Sequence, residues 1–224
     1  MDVTWRGGLI RGQRLFTLFR TLFEDRDVAD LSIPFGAVAT ELYSGREVWL
    51  RHGKVLEVAR ASCAMPGLFT PVVHEGVLLV DGGLVNPVPV SMCRALGADL
   101  VIAVDLSWGK LGAYRERGRD RAVAPREVPG WLERLRASWL ERAIAKAEPE
   151  DIRIPSIFEV FSTALDIVEM RVARSRLAGD PADVLLTPLL PDFGTMEFHR
   201  AAEAIQEGRA AVERMAPLIA EVIG

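Results

Sequence analysis

Three observations predict an α/β domain with a mainly parallel central sheet. Gly76–Leu106, GVLLVDGGLVNPVPVSMCRALGADLVIAVDL, reads as strand, tight turn, helix, strand. Pro34–Leu50 reads as a strand hairpin. Stretches at both ends of the chain carry apolar residues at helical spacing. A length of 224 residues suits one large domain, so 1–224 is taken as a single unit with a basic insertion at 108–150.

Within Gly76–Leu106, Val77–Val80 is a short run of β-prone residues fit for a buried strand. Asp81 follows at its C-terminal end. Gly82 and Gly83 then set a sharp turn and leave room beside the carboxylate for a ligand. Asn86 reads as a helix N-cap with Pro87 at the first helical position, and Gly97 as the stop of that helix. Leu100–Val104 is a second apolar strand, closed by Asp105. Two strands joined by one helix predict a parallel pair with a right-handed crossover. Ligands of such sheets sit outside the carboxyl ends of the strands, where Asp81 lies.

The remaining elements follow in order. A helix is predicted from about Gln13, because Leu15, Phe16, Leu18, Phe19, Leu22 and Phe23 recur at helical spacing. Gly7–Gly12 is glycine-rich but follows no strand, so it reads as a plain loop. Phe35, Ala37 and Ala39 share one parity in the first hairpin strand. Tyr43–Arg46 forms the turn and Glu47–Arg51 the return. Val55–Ala64 fits a helix ending before Pro66 and Gly67. Ser156–Glu159 is a capping box that opens a helix with Phe161, Leu165, Val168 and Val172 inward. Asp183–Thr187 is a last short strand, and Phe198–Ile223 a closing helix.

Between these lies a segment of different composition. Lys110–Glu127 carries six basic residues against three acidic ones and reads as a loop. Trp131–Ala147 resumes helical periodicity through Trp131, Leu135, Trp139 and Ile144, with arginines between. Packing of this face on the domain is the favoured reading. The alternative is peripheral contact with an anionic membrane surface.

Composition excludes several classes. A net charge of −4 gives no basis for a nucleic-acid partner. No apolar run approaches the ~18 residues of a membrane span. The start MDVTWRGG lacks the pattern of a signal peptide, so the cytoplasm is the expected compartment. Cys63 and Cys93 lack metal-ligand spacing and read as reduced, buried thiols. His52, His74 and His199 sit in turns or at a helix start, with no acidic or cysteine partner at useful spacing. No metal or cofactor is called for. The pattern G-x-S-x-G is absent, as are a triple glycine, G-x-G-x-x-G and a Walker A loop.

Arg60–Phe69 (RASCAMPGLF), Leu79–Gly83 (LVDGG) and Asn86–Pro89 (NPVP) together closely resemble the patatin-like phospholipase family, most of all its bacterial lipid acyl hydrolases. The likeness is strong over Leu31–Leu106 and weaker over Pro155–Val222. It implies a partial three-layer α/β/α domain, lacking the N-terminal strands of the family. It also implies a Ser–Asp dyad acting on a lipid or ester substrate, in which the family's D-G-A/G motif falls on Asp81, Gly82 and Gly83. In such a dyad the serine attacks an ester carbonyl and the aspartate takes its proton. A carboxylate is a weak base, with an ordinary pKa near ~4, and so depends on close positioning and desolvation.

The family's serine elbow and glycine-rich oxyanion loop precede the region of likeness, and this chain lacks both. The expectation is therefore a C-terminal part of the domain, inactive alone. Its Val77–Val80 and Leu100–Val104 strands would lack neighbours, which predicts an unstable or oligomeric product. The competing reading is a non-catalytic remnant that binds lipid or a protein. A nucleotide-binding domain using Asp81 and Asp105 lacks any phosphate loop, and a histidine-dependent hydrolase using Asp105 and His199 would still need a serine elbow.

Overall fold

The computed structural model describes residues 8–10, 12–108, 156–190, 193 and 197–224. The loop and helix expected within 109–150 lie outside the described residues.

The hairpin forms as its alternation predicts. Strands β1 (Gly8–Ile10), β2 (Ala37–Glu41) and β3 (Glu47–Leu50) open the chain, with helix α1 (Gln13–Leu22) between the first two. Strands β2 and β3 are antiparallel, with Val38 opposite Trp49 and Thr40 opposite Glu47. Helix α2 (Val55–Ser62) follows, then β4 (Gly67–Phe69), β5 (Val72–His74) and β6 (Val77–Asp81). The Gly7–Gly12 stretch is not a plain loop: β1 pairs in parallel with β4, Gly8 opposite Gly67.

The α/β class holds, but the sheet around Asp81 is not parallel. Its order is β3–β2–β6–β5, and β6 is antiparallel to both neighbours. The parallel pairs are β1–β4 and a second one formed by β7 (Ile102–Val104) and β8 (Val184–Leu186). Strands β6 and β7 therefore do not make the expected βαβ pair. The cause is local: β5 and β6 are joined by the two-residue turn Glu75–Gly76, which permits only an antiparallel return. Glu75 takes φ 48° and Gly76 φ 81° there. Strand β6 thus has a neighbour on each side, contrary to the expectation that it would be left bare. Strand β7 has β8 beside it, while Ile102 and Val104 remain exposed.

The helix after Asp81 starts later than expected. Helix α3 spans Val90–Ala95 and follows Pro89, so Asn86 is not its N-cap. Pro87 and Pro89 explain the delay, because a residue before proline is pushed out of the helical region. Gly97 ends the helix at φ 95° as predicted. Helix α4 (Ile157–Gly179) is capped by Ser156, whose hydroxyl accepts from the Glu159 N–H at 3.2 Å. Its buried positions are Met170 and Ala173, whereas Phe161 and Val168 are exposed, so the predicted inward stripe is rotated. Helix α5 (Ala201–Ile223) closes the chain against β8.

Two cores result. Val28, Ala39, Leu50, Val58, Ala61 and Leu79 cluster where α2 packs on β2 and β6. Val88, Val90, Val101, Ala103 and Ala173 cluster around α3, β7 and α4. Full burial of a side chain such as Leu79 is worth about 1.5–3 kcal/mol, so each cluster is a substantial anchor. The segment from Asp81 to Val90 runs from one cluster to the other.

Gly82 is where that segment presses closest on the sheet. A Cβ there would lie 2.2 Å from the Val38 carbonyl oxygen and 2.6 Å from its carbon. Both atoms are backbone and cannot swing aside. Gly82→Ala should therefore destabilise the fold by about 3 kcal/mol. Gly179, with open space around it, is the control, and Gly179→Ala should be neutral or slightly stabilising. Urea melts of the two variants check this, and equal stabilities would refute the close contact.

Candidate active site

Asp81 ends β6 two residues after the fully buried Leu79, so both side chains leave the strand on the face that α2 covers. Its backbone is held on both sides. The Asp81 N–H donates to the Ala64 carbonyl at 3.0 Å, and the Asp81 carbonyl accepts from the buried Thr40 hydroxyl at 2.7 Å. The first bond joins the two motifs that carry the likeness, since Ala64 belongs to the segment 60–69 and Asp81 to the D-G-G turn. Cys63, next to Ala64, is close enough for the Asp81 charge to act on its thiol.

The carboxylate is half-buried and its Oδ1 accepts from the Gly83 N–H at 2.7 Å. Among the described residues no donor meets its other oxygen. Burial pushes the Asp81 pKa above the ordinary aspartate value, and the Gly83 hydrogen bond opposes that rise. This leaves a carboxylate with one oxygen fixed and the other unengaged by the described residues. Such a group can accept a proton from a hydroxyl brought to it.

The two glycines serve a different purpose from the one expected. The space at Gly82 is filled by the Val38 backbone. The space at Gly83 faces Asp81 Oδ1 at 3.0 Å and Glu169 Oε1 at 3.1 Å. Both glycines let protein atoms approach, so the expectation that they leave room for a ligand is corrected. Glu169, at mid-helix in α4, is a neighbour of this turn that no sequence pattern marks out.

Asn86 is also placed differently. It is 3% exposed, and its side-chain amide donates to Glu47 Oε1 at 2.8 Å and to the Ser91 hydroxyl at 3.3 Å. Glu47 also accepts from the Trp49 indole at 2.7 Å and from Arg176 at 2.7 Å. Burial acts to raise the Glu47 pKa, but the Asn86 and Trp49 hydrogen bonds and the Arg176 charge hold it below the ordinary glutamate value.

The other candidates fall elsewhere. Asp105 is buried and its Oδ1 accepts from the Ser107 N–H at 2.8 Å, closing the turn after β7. His199 is exposed in the turn before α5. His74 ends β5 rather than lying in a loop. It lines a cleft of about 370 Å³ together with Phe16, Arg20, Leu56 and Arg60. Asp81 lines neither that cleft nor a smaller one beside Asn86 and Arg176. Cys63 and Cys93 are free but exposed, not buried as expected. Although Cys63 as a residue reaches the surface, its thiol is crowded: desolvation first, and then the Asp81 charge, push its pKa up.

That coupling makes Cys63 a reporter of Asp81. With Cys93→Ser in place, Asp81→Asn removes the negative charge and lowers the Cys63 pKa. Alkylation by iodoacetamide at pH 8 should then run about threefold faster or more. An unchanged rate would show that the two groups are not neighbours.

A sequence model described as "Patatin-like phospholipase" matches residues 2–94, which include Asp81, Gly82, Gly83 and Asn86. An NTE family protein of Mycobacterium tuberculosis is 30% identical over 251 residues, covering 91% of this chain and 68% of its own length. A putative patatin-like phospholipase domain-containing protein of Caenorhabditis elegans is 32% identical over 108 residues, or 47% of this chain and 10% of its own. A lysophospholipase of Emericella nidulans is 25% identical over 194 residues, or 86% of this chain and 12% of its own. The chain belongs to the patatin-like phospholipase family of lipid hydrolases.

Proposed function

We propose that this chain carries the acid/base half of a serine–aspartate lipid acyl hydrolase, with Asp81 as the base. The observation that supports this best is the Asp81 carboxylate itself, set at a strand end, half-buried, with one oxygen held by the Gly83 N–H. The family's substrates make a lipid ester the natural partner, and the name of the Emericella nidulans relative points the same way. In the proposed reaction a serine hydroxyl attacks the ester carbonyl while Asp81 takes its proton. Collapse of the tetrahedral intermediate expels the alcohol, which leaves with that proton. Water then attacks the acyl-serine while Asp81 takes its proton, and collapse breaks the C–Oγ bond, returns that proton to the serine oxygen and releases the fatty acid. The Gly83 N–H holds the carboxylate for both steps.

No G-x-S-x-G occurs among the 224 residues, and in this reading the attacking serine is supplied by a separate segment. This absence favours, as the second reading, a non-catalytic protein that retains a lipid- or partner-binding fold.

Two measurements separate the readings. The 224-residue polypeptide should neither hydrolyse p-nitrophenyl esters above background nor be labelled by a fluorophosphonate. Turnover by this polypeptide would overturn the assignment. Joined behind a segment that carries a serine elbow and glycine-rich loop, it should hydrolyse such esters. Asp81→Asn should then lower kcat about a thousandfold. Only the ionised carboxylate accepts a proton, so the rate should fall as pH drops through the Asp81 pKa. Burial places that midpoint above the ordinary aspartate range. Full activity in the Asp81→Asn variant would reject the dyad.

A further inference from the structure

The D-G-G turn ends in a closed ring of hydrogen bonds that brings in Glu47 and Arg176 from outside the motif stretches. Glu47, at the start of β3, takes the Asn86 amide on one carboxylate oxygen at 2.8 Å and the Arg176 guanidinium on the other at 2.7 Å. Arg176, in the last turns of α4, sends its Nε–H back to the Val85 carbonyl at 3.1 Å. Val85 and Asn86 are therefore fastened to each other through two charged side chains from distant elements. At its other end the turn is closed on itself. The Val85 and Asn86 N–H groups both donate to the Gly82 carbonyl, at 3.1 and 2.9 Å. A short helical turn, Gly82–Leu84, links the two ends and carries the N–H that holds Asp81 Oδ1.

We infer that Glu47 and Arg176 are positioning residues for Asp81, acting through Asn86 and Val85 to fix the turn that aims the Gly83 N–H at the carboxylate. Neither side chain touches the carboxylate. The arrangement rests on charge-assisted hydrogen bonds, which are about twice as strong as neutral ones. Asn86 is nearly fully buried, so losing the Glu47 acceptor would leave its amide only the longer 3.3 Å bond to the Ser91 hydroxyl, and the turn would shift to recover a partner. Arg176 cannot be replaced by lysine at no cost. Its guanidinium reaches the Glu47 carboxylate and the Val85 carbonyl with different nitrogens, whereas an ammonium offers one point.

This inference rests on Asp81 as the base, but its test does not need catalysis. The groups facing Asp81 are Cys63 at the end of α2, the Gly83 N–H, and Glu169 across Gly83 from α4. Changes at Arg176 or Glu47 leave the Cys63 and Glu169 side chains themselves unaltered and reach Asp81 through the position of the Gly83 N–H. The Gly83 hydrogen bond lowers the Asp81 pKa, so loosening the turn should raise it. The carboxyl carbon of Asp81 is followed by carbon-13 NMR titration in the 224-residue chain, as wild type, Arg176→Lys, Glu47→Gln and Glu47→Asp. Arg176→Lys and Glu47→Gln should move the Asp81 midpoint upward by about one pH unit. Glu47→Asp should restore part of the shift. Arg176→Lys keeps a cation beside Glu47 and should fold; its circular dichroism and melting curve are recorded alongside.

A native-like Arg176→Lys variant whose Asp81 midpoint matches wild type would overturn the inference. In the elbow-bearing polypeptide, Arg176→Lys should lower kcat at unchanged KM and move the acid limb of the pH–rate profile upward. A raised Asp81 midpoint together with full activity of Asp81→Asn would keep the positioning role and refute only the dyad.

Discussion

The arrangement turns on the close approach of the backbone at Gly82 to the Val38 carbonyl. Any side chain at residue 82 would push the turn away from β2. The contact seats the end of β6 against the strand beside it. The same register puts the Thr40 hydroxyl on the Asp81 carbonyl, and the end of α2 supplies the Ala64 carbonyl to the Asp81 N–H. The Asp81 backbone is thus pinned at both polar groups before its side chain is considered. Only then can a single N–H from Gly83 decide where the carboxylate points.

The carboxylate is held at a cost to the fold. Its pKa is raised by burial, so the folded chain binds the proton more tightly than the unfolded chain does. Stability contributed by this group is therefore present at low pH. It is lost as pH rises from the ordinary aspartate value through the raised one. An aspartate that serves only to tie two elements together usually shows the opposite sign, as Asp183 does beside Val101. There the Val101 N–H bond and the Arg94 charge hold the carboxyl below its ordinary value. Asp81 and Asp183 each accept a backbone N–H, and what separates them is the desolvation that dominates at Asp81 and the Arg94 cation beside Asp183. A carboxylate kept in an unfavourable setting by an otherwise well-bonded backbone is a common sign of a reactive group.

Much of this was legible in the sequence, and the exceptions have physical reasons. The strand ending at Asp81, the hairpin before it and the capped helix at Ser156 follow from local pattern, because periodicity and turn residues act over a few positions. The motif residues Asp81, Gly82 and Gly83 were likewise marked. Sheet direction is set by the two-residue turn at Glu75–Gly76 and not by the helix after Asp81, which dominates the local pattern. Asn86 was misread as a helix cap because Asn–Pro carries that signal. Its actual acceptor, Glu47, lies on the hairpin and is invisible to local reading. Glu169 and Arg176 sit in the middle and last turns of a long helix. Only the way α4 crosses the D-G-G turn gives them meaning.

The chain matches NTE family proteins across nine-tenths of its length, so the relation extends well beyond the motif residues. The proposed chemistry comes down to one contact, between a serine hydroxyl and the Asp81 carboxylate. The most direct test is a crystal structure of this chain joined to a serine-elbow segment, free of inhibitor. The serine Oγ should lie within hydrogen-bond reach of an Asp81 carboxylate oxygen, about 2.6–3.2 Å. A serine that instead addresses His199 or Asp105, with Asp81 out of reach, would contradict it.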